Sequence, residues 1–220
     1  MRLFHLSDLH IGKRVNEFSM IEDQKYILER ILDLAEKEMP DGVILAGDIY
    51  DKQIPSAEAV QVFDEFITKL AERKFPVFVI SGNHDSAERL AFGGRLLNSR
   101  GIYLSPVYDG TVMKIPIADQ YGTVWIHLLP FIRPAAVRRV FEDESDLITD
   151  VQSAVRAVIS HILLNPSWFL LLSGKITVSI IAHSLLPGNR KFSGFLFRFL
   201  CRLFFHFFFP AGHKEIGRAS

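Results

Sequence analysis

The sequence predicts an α/β domain in which a mostly parallel β-sheet is covered by helices. Short apolar runs at Leu3–Leu6, Val43–Ala46 and Val77–Ile80 alternate with two longer segments of helical periodicity. Each run stops at a polar cluster, and 220 residues are enough for one substantial domain with a real core. Strand, helix, strand, helix, strand is the order of a sheet with both faces covered.

Leu3–Leu6 opens the sheet as a short strand. Ser19 is placed to cap a helix from about Met20 to Glu38, in which Ile27, Ile31 and Leu34 recur at helical spacing with charges between them. Met39-Pro-Asp-Gly42 ends it, and Val43–Ala46 follows as a buried strand. Pro55 and Ser56 open a second helix whose apolar stripe is Val60, Phe63, Phe66, Ile67 and Leu70. Val77–Ile80 is the third strand, and 86–99 reads as helix broken at Gly93-Gly94. Two strands, Val112–Ile115 and Val124–Leu129, and a helix from about Asp146 to Ile162 complete the regular part.

Lys and Arg together number 25, as do Asp and Glu, so the total charge gives no basic signature for nucleic acid, although a local patch can supply one. The single cysteine, Cys201, excludes an internal disulfide and a cysteine-rich zinc site. The N-terminus lacks the apolar stretch of a signal peptide, so a reducing, cytoplasmic setting with no membrane partner is expected. The average hides a break. Residues 1–165 carry 24 acidic and 18 basic side chains, whereas 166–220 carry one acidic residue, Glu215, against seven basic ones. Ten of the 19 phenylalanines lie beyond Pro166. Residues 1–165 and 166–220 are therefore treated as separate regions.

The polar clusters are "SDLHIG" with Asp8 and His10, "GDIYD" with Asp48 and Asp51, and "SGNHD" at Ser81–Asp85. Open α/β sheets bind ligands beyond the carboxyl ends of their strands. Neighbouring parallel strands lie about 5 Å apart, so Asp8, His10, Asp48 and Asn83 can converge across 75 positions of sequence. Two carboxylates, an imidazole and an amide oxygen suit Mn²⁺, Fe²⁺, Zn²⁺ or Mg²⁺. One bridging carboxylate can hold two ions about 4 Å apart, a pair that clamps the attacking and leaving oxygens of a displacement at phosphorus. His84 is placed as general acid or as donor to developing charge, and Asp85 as the carboxylate that orients it.

"DLH", "GDIYD" and "GNHD" resemble the first three motifs of the calcineurin-like metallophosphoesterases. The longer strings "RLFHLSDLHIGK", "DGVILAGDIYDKQIPSAEAV" and "PVFVISGNHDSAERL", with "LLPFIRPAAVRRVFEDE", are similar to one branch, the nuclease subunits of bacterial SbcCD complexes, over about residues 1–165. The resemblance implies a β-sheet sandwich flanked by helices. It implies that Asp8 and His10 hold a first metal, Asp48 bridges two, Asn83 holds the second and His84 is the catalytic histidine. It further implies two divalent ions, with Mn²⁺ expected, and cleavage of DNA at duplex ends and hairpins in repair and recombination. The implied partners are the ATPase subunit of the SbcCD complex and a second copy of the nuclease subunit. Lys13, Arg14 and Lys52, beside the motifs, are candidates for phosphate contact, with a plain solvated face as the alternative. A small-molecule phosphodiesterase or protein phosphatase is the alternative within enzymes, and a non-catalytic, partner-binding fragment the alternative outside them.

The family pattern also has a later strand ending in histidine and a Gly-His-x-His motif. Here "PAGHKEI" places Glu215 where the second histidine belongs, and His183, after "TVSIIA", is a candidate for the earlier one; His161 and His206 have no assigned role. Out-of-frame translation of 167–220 would explain the missing acids, the phenylalanine excess and the absent motif together. A surface-lying helix over Phe195–Phe209 is the second explanation; Arg198, Arg202 and His206 interrupt any membrane span. The corresponding expectation is a fold incomplete at its C-terminus and an inactive or poorly folded product.

Overall fold

The computed structural model describes residues 1–120 and 122–164, and a strand at 176–181. The expectations for the tail, including His183, His206 and Glu215, lie outside the described residues. Two sheets form the frame. The first is parallel, built from β1 (Leu3–Leu6), β4 (Gly42–Ala46), β5 (Val77–Ile80) and β6 (Ile102–Leu104) in that spatial order. The second contains β7 (Met113–Asp119), β8 (Gly122–Leu129) and β9 (Ile176–Ile181), with β7 antiparallel and β9 parallel to β8. A small hairpin, β2 (Arg14–Val15) and β3 (Phe18–Ser19), turns at Asn16 and Glu17, both with positive φ, as a two-residue turn requires.

Strands β4 and β5 are buried at every residue, and their alternation divides two cores. Val43, Leu45, Val77 and Val79 face helices α1 (Ile21–Glu38) and α2 (Ala57–Glu72). Ile44, Ala46, Phe78 and Ile80 face the second sheet, where Ile115, Ile126 and Leu128 meet them. Helix α6 (Val151–Leu164) closes that core with Ala154, Val155 and Val158. The result is the expected β-sandwich flanked by helices. Burying both faces of a strand leaves it unable to slide without opening one core or the other. That rigidity fixes the strand ends where the polar clusters lie.

Several elements differ from the sequence expectation. Helix α1 begins at Ile21 with Met20 at its cap; Ser19 instead ends the hairpin, and its Oγ accepts from the Ile21 N–H at 3.4 Å. Its buried face is Leu28, Leu32 and Ala35, while Ile27 and Leu34 are exposed. Helix α2 is capped by Ser56, whose Oγ accepts from the Ala59 N–H at 3.2 Å, but Val60 turns to solvent. Phe63 and Ile67 are core residues of this helix, which covers the sheet. The segment after β5 is two short helices, α3 (Ala87–Leu90) and α4 (Gly94–Leu97), interrupted at Gly93 as expected. Strand β6 and helix α5 (Pro134–Val140) were not anticipated, and α6 starts at Val151, after a 3-10 segment at Glu142–Leu147. Among the described residues, no helix is long and apolar enough to cross a membrane.

Candidate metal centre

All three polar clusters leave the same edge of the parallel sheet, at the carboxyl ends of β1, β4 and β5. The loops after β1 and β4 run side by side. Asp8 N–H donates to Gly47 O at 3.1 Å, His10 N–H to Asp48 O at 2.9 Å and Ile11 N–H to Ile49 O at 2.9 Å. Asp51 N–H returns to Ile11 O at 3.2 Å. This extends the β1–β4 pairing beyond the regular strands and brings the first two clusters into register.

One ligand atom from each of Asp8, His10 and Asp48 lies within 4.8 Å of the others. All three residues sit in the left-handed backbone region, with φ of 57°, 44° and 50°. A non-glycine residue there is uncommon and costs about 1 kcal/mol or more. Asp48 follows Gly47, at φ 88°, so two left-handed residues in succession swing its carboxylate back over the strand end. Three strained residues on two strand ends, all aimed at one point, are the kind of backbone that persists only where the surroundings over-determine it.

The third cluster supplies the walls. Gly82 passes so close to Asp48 that a Cβ there would stand 2.1 Å from Asp48 Oδ1 and 2.3 Å from its backbone nitrogen. This approach lets His84 N–H donate to Asp48 Oδ1 at 3.0 Å. The Asp85 carboxylate is buried and accepts three backbone N–H bonds, from Gly82 at 2.8 Å, Tyr50 at 2.9 Å and Ile49 at 3.1 Å. It ties the loop after β5 to the loop after β4. Burial pushes the Asp85 carboxyl above the ordinary carboxylate range, the three N–H bonds pull it down, and the nearby Asp48 charge adds to the rise.

The histidines meet edge to face: the His10 and His84 rings are 5.0 Å apart at 88°. Asp51 lies between them, with its Oδ1 3.9 Å from His10 Nδ1 and its backbone oxygen 3.3 Å from His84 Nδ1. Only a protonated Nδ1 can bond to that carbonyl, so this contact favours the tautomer with Nε2 of His84 unprotonated and exposed. Among the described residues, His10 Nδ1 is buried with no hydrogen-bond partner. Two carboxylates and an imidazole converging within 4.8 Å fit a divalent cation: hard and borderline donors match Mn²⁺, Fe²⁺, Zn²⁺ or Mg²⁺.

The chain matches the family described as "Calcineurin-like phosphoesterase" over residues 1–195. It belongs to that family. It is also 37% identical, over 145 residues, to a protein from Staphylococcus epidermidis named as the D subunit of the nuclease SbcCD, a match that covers 66% of this chain and 38% of that protein. The match therefore spans less than two fifths of the relative's length.

In this calcineurin-like phosphoesterase the structure draws Asp8, His10 and Asp48 together and sets His84 against them. Asn83 is exposed and lines a cavity of about 370 Å³ with Gln53, Asp85, Tyr108 and Arg133. Asp85 was expected to orient His84, but its oxygens are taken by backbone donors, and it is the Asp51 carbonyl that reaches the His84 ring. Lys13, Arg14 and Lys52 are all exposed; Arg14 and Lys52 line a second cavity of about 340 Å³ that also takes in Asp51. His161 packs edge-on against Phe141, 5.2 Å away, consistent with no role at the site. Sequence reasoning gave Asp51 and Gly82 no function, although both stand in the motifs. The glycine between Ser81 and Asn83 was the available signal for a close backbone approach.

Proposed function

We propose that this calcineurin-like phosphoesterase is a divalent-metal-dependent DNA phosphodiesterase of the SbcCD nuclease kind. The observation that carries the reading is the convergence of Asp8, His10 and Asp48 within 4.8 Å at two adjoining strand ends. The similarity to a protein named as a nuclease subunit supports the choice of DNA as substrate. In this proposal Asp8, His10 and Asp48 hold the metal, and Asn83 completes a second position, so that two ions, Mn²⁺ by preference, are used. A bound divalent ion supplies charge neutralisation and polarisation at a phosphoryl oxygen. His84 supplies the proton: protonated at both nitrogens, it donates from Nε2 to the departing oxygen while Nδ1–H stays on the Asp51 carbonyl. Asp85 holds the two loops at the separation this needs. Lys13, Arg14 and Lys52 serve as phosphate contacts on DNA ends and hairpins. The partners are an ATPase subunit and a second copy of the chain, in the cytoplasm. Residues 1–165 are the catalytic part, and 166–220 an atypical Phe-rich, basic tail.

The test is cleavage by the purified 220-residue chain of a blunt duplex, a DNA hairpin and a phosphate monoester, each with and without Mn²⁺. Against the inactivity expected from the missing late histidines, the convergence of Asp8, His10 and Asp48 without them predicts Mn²⁺-dependent cleavage of DNA that weakens steeply with salt, as counterion release requires. His84→Ala should slow it by about 100-fold or more, the usual contribution of a positioned acid. Monoester hydrolysis without DNA cleavage would move the assignment to a small-molecule phosphoesterase or protein phosphatase. Self-association in the ultracentrifuge without metal-dependent cleavage would move it to a non-catalytic binding fragment.

A further inference from the structure

We propose that Gln24, on helix α1 and outside the polar clusters, is a positioning residue for the metal-ligand loop after β1. This rests on the metal-centre reading of Asp8, His10 and Asp48. The half-buried side chain of Gln24 spans that loop with both ends of its amide. Oε1 accepts from the Gly12 N–H at 2.9 Å; Nε2 donates to Leu9 O at 3.1 Å and His10 O at 2.8 Å. The three backbone partners fix which way the amide faces, because an N–H can only donate and a carbonyl can only accept. These three bonds bracket His10 on both sides.

The loop has need of such a clamp. Asp8 and His10 are both in the left-handed region, and the irregular backbone along Asp8–Gly12 leaves groups that regular structure would have paired. The β4 loop satisfies Asp8 N–H, His10 N–H and Ile11 N–H from one side. Gln24 satisfies the carbonyls of Leu9 and His10 and the Gly12 N–H from the other. Helix α1 anchors Gln24 through Ile21, Leu28 and Leu32, which are core residues, so the clamp is mounted on a rigid support. An amide is the side chain this geometry selects. A carboxylate would turn its lone pairs on two carbonyls, and an aliphatic side chain would remove the partners of Leu9 O and the Gly12 N–H and one of the two partners of His10 O, which also accepts from the Lys13 N–H at 3.0 Å.

Gln24→Ala and Gln24→Glu in the full 220-residue chain, with Lys25→Ala as control, test this. Lys25, the next residue on the helix, pairs with Glu22 and Glu58. Two readouts are taken: Mn²⁺ affinity by titration, and amide exchange of Gly12 without metal. Gln24→Ala should weaken Mn²⁺ about tenfold, the effect typical of a group that orients a ligand, and speed exchange at Gly12. Gln24→Glu should keep Gly12 protected, through the retained acceptor, yet bind Mn²⁺ as weakly as the alanine variant. Lys25→Ala should change neither. Wild-type Mn²⁺ affinity in both Gln24 variants would overturn the proposal even if both melt earlier. If the unsubstituted chain binds no Mn²⁺, the metal-centre reading itself fails. Gly12 exchange then decides alone, and unchanged exchange in Gln24→Ala would overturn the clamp.

Discussion

Replacing Gly82 by alanine is expected to destroy the site and destabilise the fold together. The new Cβ would lie 2.1 Å from Asp48 Oδ1 and 2.3 Å from Asp48 N, distances no real Cβ occupies. One obstacle is backbone, so rotating a side chain cannot relieve the clash. The strands cannot separate cheaply either, because β4 and β5 are buried on both faces. The loop after β5 must therefore lift, breaking the His84 N–H bond to Asp48 and the Gly82 N–H bond to Asp85. Overpacking in a rigid interior costs about 1–3 kcal/mol, and each lost buried bond about 1 kcal/mol more. A loss of about 3–5 kcal/mol in urea unfolding is expected. Mn²⁺ affinity should fall at least about 100-fold, beyond what a change to an orienting group alone gives. A variant of wild-type stability and metal affinity would mean that the two loops are not packed as described.

Asp85→Ala is expected to unfold the chain more readily while removing none of the side chains Asp8, His10 and Asp48. The substitution strands three buried N–H groups, on Ile49, Tyr50 and Gly82. Each unsatisfied donor costs about 1–3 kcal/mol. Part of this returns, because burial already disfavours the ionised carboxylate, so a net loss of about 3 kcal/mol is expected. Asp85→Asn keeps one acceptor oxygen but turns an NH₂ on backbone donors, and should fall between wild type and Asp85→Ala. The raised pKa fixes the sign with pH. The folded state holds the Asp85 proton more tightly than the unfolded state, whose value is the ordinary 3.8. The stability contributed by that proton is full below 3.8 and is lost as pH rises through the folded value. Asp85→Asn should lack this fall. Chemical denaturation of the three proteins across acid pH measures both effects.

The frame of this fold was open to a reader of the sequence because the strands that position the site are short, apolar and closed by polar clusters. Val43–Ala46 and Val77–Ile80 are too short for a helix and too apolar for a surface loop. Helix α1 shows where periodicity stops. Ile27, Ile31 and Leu34 have the same four-then-three spacing as Leu28, Leu32 and Ala35, displaced by one residue. Both stripes are valid helical faces, and only packing against the sheet selects the second. Strand β6 has three residues, too few for a pattern, whereas Arg133-Pro134 was a readable start for α5.

At the candidate site, Asp8, His10, Asp48 and His84 were legible because the metal and proton chemistry proposed for them restricts residue type. The parts that hold them were not. Asp85 works through backbone donors, which nearly every residue possesses and no sequence displays. Gln24 is a polar residue inside an amphipathic helix, indistinguishable by pattern from its exposed neighbours Glu22 and Asp23. Asp51 reaches His84 through a main-chain oxygen.

The most direct test of a metal centre here is a Mn²⁺ titration of the 220-residue chain beside Asp8→Asn and Asp48→Asn, with circular dichroism to confirm that all three are folded. The geometry predicts saturable binding by the parent chain that each substitution removes or weakens at least about tenfold. Folded protein that binds no Mn²⁺, or binds it equally in all three, would contradict a metal centre at these strand ends.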